Sequence, residues 1–348
     1  MKKCIELAKK HYYLATGILM FLSGITAVTL VLPPLALLAW VSLVPLLIFI
    51  QGKSLREVYF YTFISGLLGN YLQYQWIGDF GANVAGGNIV IIGFVIPSLT
   101  VFFATKFLVA EWLSRKFESF RILLYPSVWI MVDWIQSLGH LAFPWAYLAY
   151  SQYTFTSFIQ SVSVFGVMGI TFIMVAFNTS VGELVQYYRD EQPDKRLLFR
   201  SFPFRRVIVI LIAIVILWSW GFARIADPRG DGKPEQRVAM IQSCISPWEN
   251  WNMNKFMYLK TLEKLTKKAM EYDPDVIIWS ESATLESISF DYFNGRPGDF
   301  EQKVLDLAAE LEKPLITGEI GIIVDNMAQR YYPQNNMVHI NSEGEVVS

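Results

Sequence analysis

The hydrophobic positions divide the 348-residue chain at about residue 223. Before that point apolar residues come in long runs; after it, short apolar stretches alternate with charged ones, as in a water-soluble domain. A helix crossing a bilayer needs about 20 mostly apolar residues. Seven runs approach that length: 12–31, 34–50, 56–76, 88–112, 120–138, 156–185 and 206–224. The first is too long, and too closely followed by others, for a cleaved signal peptide. The fifth carries Asp133 inside it.

A linker rich in Pro, Gly and charge, "ADPRGDGKPEQ" (226–236), marks the change of period. "RVAMIQSCI" (237–245) reads as a short apolar strand. Residues 254–272 then place Phe256, Leu259, Leu262, Leu265 and Ala269 at helical spacing, with lysines elsewhere. A strand in "DVIIWSES", a helix over about 299–312, a strand "PLITGEIGI" (314–322) and a strand at 336–341 follow. This alternation predicts an α/β layered domain. The expected organisation is a membrane domain over 1–224 with about seven transmembrane helices, a linker over 225–236, and an α/β domain over 237–348.

Charge gives the orientation. Lys2, Lys3, Lys9 and Lys10 precede the first run, and Lys53 and Arg56 lie between the second and third. Arg115, Lys116 and Arg121 lie between the fourth and fifth, and Arg189, Lys195, Arg196, Arg200, Arg205 and Arg206 between the sixth and seventh. The alternate loops, around 32–33, 77–87 and 139–155, contain no Lys or Arg. The positive-inside rule then puts the N-terminus in the cytoplasm and everything after 224 outside. The net charge of −1 gives no support for nucleic-acid binding. Cys4 and Cys244 fall on opposite sides of the membrane, so no disulfide is expected between them. His11, His140 and His339 have no metal-ligand spacing, and no cofactor is expected.

"DVIIWSESATL" (275–285) drives an apolar strand inward and ends it on Glu281. In α/β sheets, chemistry collects at the carboxyl ends of strands. A carboxylate at such a mouth is expected to be partly desolvated, which raises its pKa toward the range of a general base. A surface strand ending on a charge is the alternative. A base also needs a nucleophile. Cys244, at the end of another strand, is the only thiol in the domain, although a small buried thiol is the commoner state of a strand cysteine.

Three stretches taken together resemble one family. "FPWAYLAYSQ" (143–152) is similar to an external-side motif Phe-Pro-Trp followed by Gly-Tyr-Ser-Gln. "VAMIQSCISPWENW" (238–251) resembles an opening strand and the Trp that follows it, and "VIIWSESA" (276–283) resembles Ile-Ile-Trp-Pro-Glu-Ser-Ala. The family is the apolipoprotein N-acyltransferases, in which a membrane-helix domain carries an extracytoplasmic domain of the carbon–nitrogen hydrolase (nitrilase-like, αββα) type. The resemblance implies a bacterial inner-membrane enzyme with a phospholipid acyl donor and a diacylglyceryl-lipoprotein acceptor, acting through a Cys thioester. It implies Glu281 as general base and Trp251 as a residue of the lipid-facing site. It makes Trp145 a candidate substrate contact, with interfacial anchoring as the alternative. The Lys and Cys that complete the family's triad would map past Ser348, leaving the α/β domain incomplete at its C-terminal end. Lys313 is the nearest substitute, though a solvated Lys at a helix-to-strand turn fits it as well.

The sequence also departs from the pattern. Asp133 and Gln136 stand where the family has Glu and Arg, so the ion-pair partner of Asp133 is expected to be missing. Ala149 replaces a Gly, and Ser280 the Pro before the Glu. Asn335 and Asn336 could orient the absent Lys segment or merely shape a turn. The competing readings are a catalytically inactive lipid-binding or assembly module, a transporter lined by Asp133, Gln73 and Gln75, and a nitrilase-like amidase.

Overall fold

A computed structural model describes residues 33–74, 77, 91–139, 142–145, 147–226, 236–244, 250–281, 283–325 and 330–347. The predicted span 12–31, Cys4, His11, Gln75 and His140 lie outside them. The chain divides into two compact units, Met1–Arg229 and Gly230–Ser348.

The first unit is helical. Its helices are α1 (Val44–Ile50), α2 (Leu55–Tyr74), α3 (Ile96–Lys116), α4 (Arg121–Gln136), α5 (Thr156–Ile159), α6 (Val162–Glu191), α7 (Lys195–Arg200) and α8 (Phe202–Ala226). Three described helices are long and apolar enough to cross a membrane: Gly93–Lys116, Val162–Glu191 and Phe202–Ala226, of 24, 30 and 25 residues. At about 1.5 Å per residue each exceeds a hydrocarbon core of about 30 Å. α4 has 16 residues and reaches only about 24 Å.

Two predicted spans are broken. The run 34–50 is a 3₁₀ segment, Pro33–Trp40, followed by the short α1, with a proline in the first turn of α1. Proline lacks an N–H and disfavours helix in the residue before it. The freed backbone groups are met by side chains from elsewhere. Asn178 of α6 accepts from the Leu43 N–H at 2.9 Å and donates to the Ala39 carbonyl at 3.1 Å. Gln152 donates to the Ala36 carbonyl and accepts from Trp40 Nε1, both at 2.9 Å. Non-helical backbone is tolerated at membrane depth only when satisfied in this way. The run 156–185 breaks between α5 and α6 and kinks again at Gly166, whose φ of 65° suits a residue without a Cβ. A second glycine, Gly221 of α8, lies so close to the Ser157 carbonyl that a Cβ there would collide with it.

The basic end of this unit is tied together. Glu111 is buried and accepts from Tyr125 Oη (2.7 Å), Arg121 (2.9 Å) and Arg115 (3.3 Å). Arg206 bonds Glu183 at 2.6 Å and the Ser119 carbonyl at 3.1 Å, joining α8, α6 and the α3–α4 turn. Ser54 and Glu57 form a reciprocal cap at the start of α2.

The second unit holds a four-stranded sheet in the order β1 (Val238–Ile241), β2 (Val276–Trp279), β3 (Leu315–Asp325), β4 (Arg330–Ile340). The first three strands are parallel and β4 returns antiparallel to β3. The helices are α9 (Trp251–Ala269), α10 (Ile288–Phe293) and α11 (Asp299–Leu311). α9 and α11 cover the face that carries Ile241, Ile277, Trp279, Leu315, Val338 and Ile340, to which they add Leu262, Phe300 and Val304. Each fully buried side chain of this kind contributes roughly 1.5–3 kcal/mol. The opposite face leaves Met240 and Met337 exposed. The described residues thus form one helix layer on one sheet, and the second sheet and helix layer of an αββα arrangement are not among them.

Candidate functional site

β2 positions Glu281. Ile277 and Trp279 point into the core, where Trp279 Nε1 donates to the buried Thr266 of α9 at 3.0 Å, so the strand cannot slide. The chain then turns at 280–283, with the Ala283 N–H on the Ser280 carbonyl at 3.1 Å. Thr284, fully buried, donates to the Gly318 carbonyl of β3 at 3.0 Å, and the Ile320 N–H donates to the Glu286 carbonyl at 3.1 Å. The 280–286 connection is therefore fixed on β3, and Glu281 sits on its outer turn.

Asn335 of β4 completes the arrangement. Its register partner is Ile320, and its Nδ2 donates to Glu281 Oε1. No other hydrogen bond or ion pair reaches Glu281 among the described residues. The expected desolvation is not observed: Glu281 is exposed, because the turn carries it beyond the apolar end of the strand.

Trp251, at the first turn of α9, is half-buried. Its indole N–H donates to Glu286 Oε1 at 2.5 Å, and its ring meets Phe300 edge-on at 5.5 Å. Lys255, one turn on, reaches the same oxygen at 3.1 Å. Glu281 and Trp251 are thus linked through a single connection rather than by direct contact. Burial pushes the Glu286 carboxyl up, but hydrogen bonds from Trp251, Lys255 and Glu301 outweigh it and hold the group below its ordinary range. Burial pushes Glu301 up, and its hydrogen bond to Glu286 adds to the rise.

The other candidates separate. Cys244 follows β1 at the same end of the sheet as Glu281, exposed, with a φ of 52°. Lys313 pairs with Asp273 at 3.0 Å and precedes β3, at the sheet end opposite Glu281. A groove of about 820 Å³ runs along the β1 edge past Met240, Leu265 and Tyr272, without Glu281 among its lining residues. In the membrane unit Trp145 is exposed and leans on Phe143 at 5.0 Å, which in turn meets Tyr74 at 5.1 Å. Gln152 of the same motif holds the 3₁₀ segment described above. Among the described residues no group of acidic, His or Cys side chains could hold a metal ion.

The expectation that Asp133 lacks a partner is corrected. Lys106 of α3 forms an ion pair with Asp133 of α4, both buried, and its ammonium lies over the Trp129 ring, 4.7 Å from the centroid. The cation comes from the preceding helix rather than from position 136. Only one oxygen of Asp133 takes that pair; the other, Oδ2, is buried and has no hydrogen-bond partner among the described residues.

A unit of membrane-length helices, joined in sequence to an α/β unit with a carboxylate at a strand's carboxyl end, defines a class: membrane proteins that carry an α/β domain. Residues 17–180 match the family model described as the apolipoprotein N-acyltransferase N-terminal domain. The chain is 26% identical over 332 residues to the apolipoprotein N-acyltransferase of Geobacter metallireducens, covering 94% of this chain and 61% of that protein. It is 22% identical over 258 residues to apolipoprotein N-acyltransferase 1 of Treponema denticola, covering 73% and 45% respectively. With the Chlorobaculum tepidum apolipoprotein N-acyltransferase it shares 27% over 292 residues, covering 80% and 50%. The chain is similar to the apolipoprotein N-acyltransferases, and spans about half to three-fifths of the length of these three.

Proposed function

We propose that this chain serves phospholipid-dependent N-acylation of lipoproteins at a bacterial cytoplasmic membrane, with Glu281 as general base. In this reading Glu281 takes the proton of a cysteine thiol mapping past Ser348. The thiolate attacks the ester carbonyl of a phospholipid, and the lysophospholipid leaves with the proton that Glu281 returns. The α-amine of a diacylglyceryl-cysteine then attacks the thioester, Glu281 accepts its proton, and the thiolate leaves. A cation beside the carbonyl oxygen, also past Ser348, would stabilise the charge that develops there. Membrane-length helices keep the chain in the bilayer that holds both lipids. Trp251 borders the site through Glu286, and Trp145 is a contact or anchor for lipid on the membrane unit.

The observation that carries the reading is Glu281 itself: a carboxylate at the carboxyl end of β2, oriented by Asn335, with its second oxygen unbonded among the described residues. The test uses the polypeptide encoded by the reading frame that contains these 348 residues, reconstituted with labelled phospholipid and a diacylglyceryl peptide. Glu281→Gln preserves the bond from Asn335 and should lower the acylation rate by about 10²–10⁴-fold. A rate unchanged by Glu281→Gln would remove the base from the mechanism.

A further inference from the structure

The stretch from α7 into the first turn of α8 is used neither by the helical core nor by the acylation chemistry. Residues 195–206 hold five basic side chains and no acidic one. Leu197, Phe199 and Phe202 project from this stretch at 58%, 59% and 66% exposure. Arg196, Arg200 and Arg205 are exposed among them, and none is paired with an acidic group among the described residues. The neighbouring Asp194 is turned to the backbone, capping α7 by accepting from the Leu197 N–H at 2.8 Å. Phe199 meets Phe204 edge-on at 4.9 Å, so the aromatic residues form one patch.

The place of this patch in the helical unit is fixed by Arg206. Its bonds to Glu183 and to the Ser119 carbonyl hold the start of α8 against α6 and the α3–α4 turn. At that same turn Lys116 lies over the Trp112 ring at 4.2 Å, and Phe117 and Phe120 are exposed. One end of the helical unit is therefore rimmed by large apolar side chains set among cations. In water such a patch would be an aggregation site, and in hydrocarbon the guanidinium groups would be costly. Both are satisfied at a lipid interface, with rings among the acyl chains and guanidinium groups on phosphate oxygens. A zwitterionic headgroup offers that phosphate already neutralised by its own ammonium. An acidic headgroup leaves a full negative charge for each arginine.

We propose that residues 196–205 form a binding surface for acidic phospholipid, distinct from the acyl-donor site, on the leaflet at the basic ends of the helices. Arg196, Arg200 and Arg205 take the phosphodiester charges, and Leu197, Phe199 and Phe202 enter the acyl region. The proposal rests on the reading that these helices span a bilayer and not on the acylation reading.

The test places the full 348-residue chain in nanodiscs of equal phosphatidylcholine and phosphatidylglycerol and counts retained lipids by native mass spectrometry. Wild type should retain phosphatidylglycerol preferentially. Each basic side chain near an anionic surface is worth about fivefold in binding, so Arg196→Gln/Arg200→Gln/Arg205→Gln should weaken the preference on the order of a hundredfold. The corresponding triple Arg→Lys variant should keep most of it. A photoactivatable phosphatidylglycerol on wild type should crosslink within 196–205, which needs no variant to fold. Equal retention of the two lipids by wild type, an undiminished preference in the triple Gln variant, or crosslinks confined elsewhere would each overturn the proposal. Failure of the chain to enter any nanodisc would overturn it together with the membrane reading, whereas loss of preference alone would leave that reading standing.

Discussion

Glu286 and Glu301 face each other beneath Trp251, one carboxyl held below its ordinary range and the other pushed above it. Each direction has a sign in stability. Glu286, depressed, gives stability that is complete above its unfolded pKa and is lost as pH falls through the folded value. Glu301, raised, keeps a proton in the fold that the unfolded chain has already released, so stability declines as pH rises through the interval between its two values. Glu301→Gln retains a donor for Glu286 and removes that decline. Its expected effect is a higher unfolding midpoint at pH 7 and a flatter pH profile above the ordinary carboxylate range. Glu286→Gln leaves Lys255 a neutral acceptor in place of a carboxylate and should cost about 1 kcal/mol at neutral pH. Amide exchange in α9 and α11, followed against pH in the detergent-solubilised chain, reads both. An unchanged profile in Glu301→Gln would rule out proton sharing. At this scale Glu281 is legible in the sequence, since a carboxylate closing an apolar strand stands out locally. Its exposure is not, because it depends on the turn that Thr284 pins to Gly318. The grip of Glu286 on Trp251 is also invisible there, because nothing local links positions 251 and 286.

Among the elements, the helix pair α3–α4 carries the sharpest test. The charges of Lys106 and Asp133 are buried together. Removing one partner of a buried pair leaves an uncompensated charge and costs about 3–5 kcal/mol, whereas replacing both by apolar groups of similar size is often neutral or stabilising. Lys106→Met and Asp133→Leu should therefore each sharply lower the thermal midpoint in detergent, and the double variant should recover most of the loss. Additive losses in the double variant would mean the two groups do not interact. The pair escapes a reading of the sequence because Lys106 lies within a run that reads as apolar, while local spacing directs attention to position 136. The break at 33–50 escapes for a related reason. Its prolines are plain in the sequence, but the side chains that make the break tolerable, Asn178 and Gln152, come from helices far along the chain.

For the whole molecule, the question is which side of the bilayer receives the α/β unit. Apart from Lys106, buried within α3 against Asp133, the basic residues from Lys53 to Arg206 lie at one end of the described helices, where Glu111, Glu183 and the Ser119 carbonyl tie several of them, as the alternation of basic and neutral loops leads one to expect. The cytoplasmic end attracts such residues. If the chain then crosses an odd number of times, Cys244 lies outside and Cys4 inside. Cys244 is exposed and free in the structure, which makes it a native reporter. A membrane-impermeant maleimide added to intact cells should label Cys244 and leave Cys4 unlabelled until the cells are lysed, the two being separated by peptide mass. Labelling of Cys4 from outside, with Cys244 reached only after lysis, would reverse the topology. It would also take Glu281 away from the leaflet where lipoprotein acceptors are displayed, and the proposed acylation could not then proceed as written.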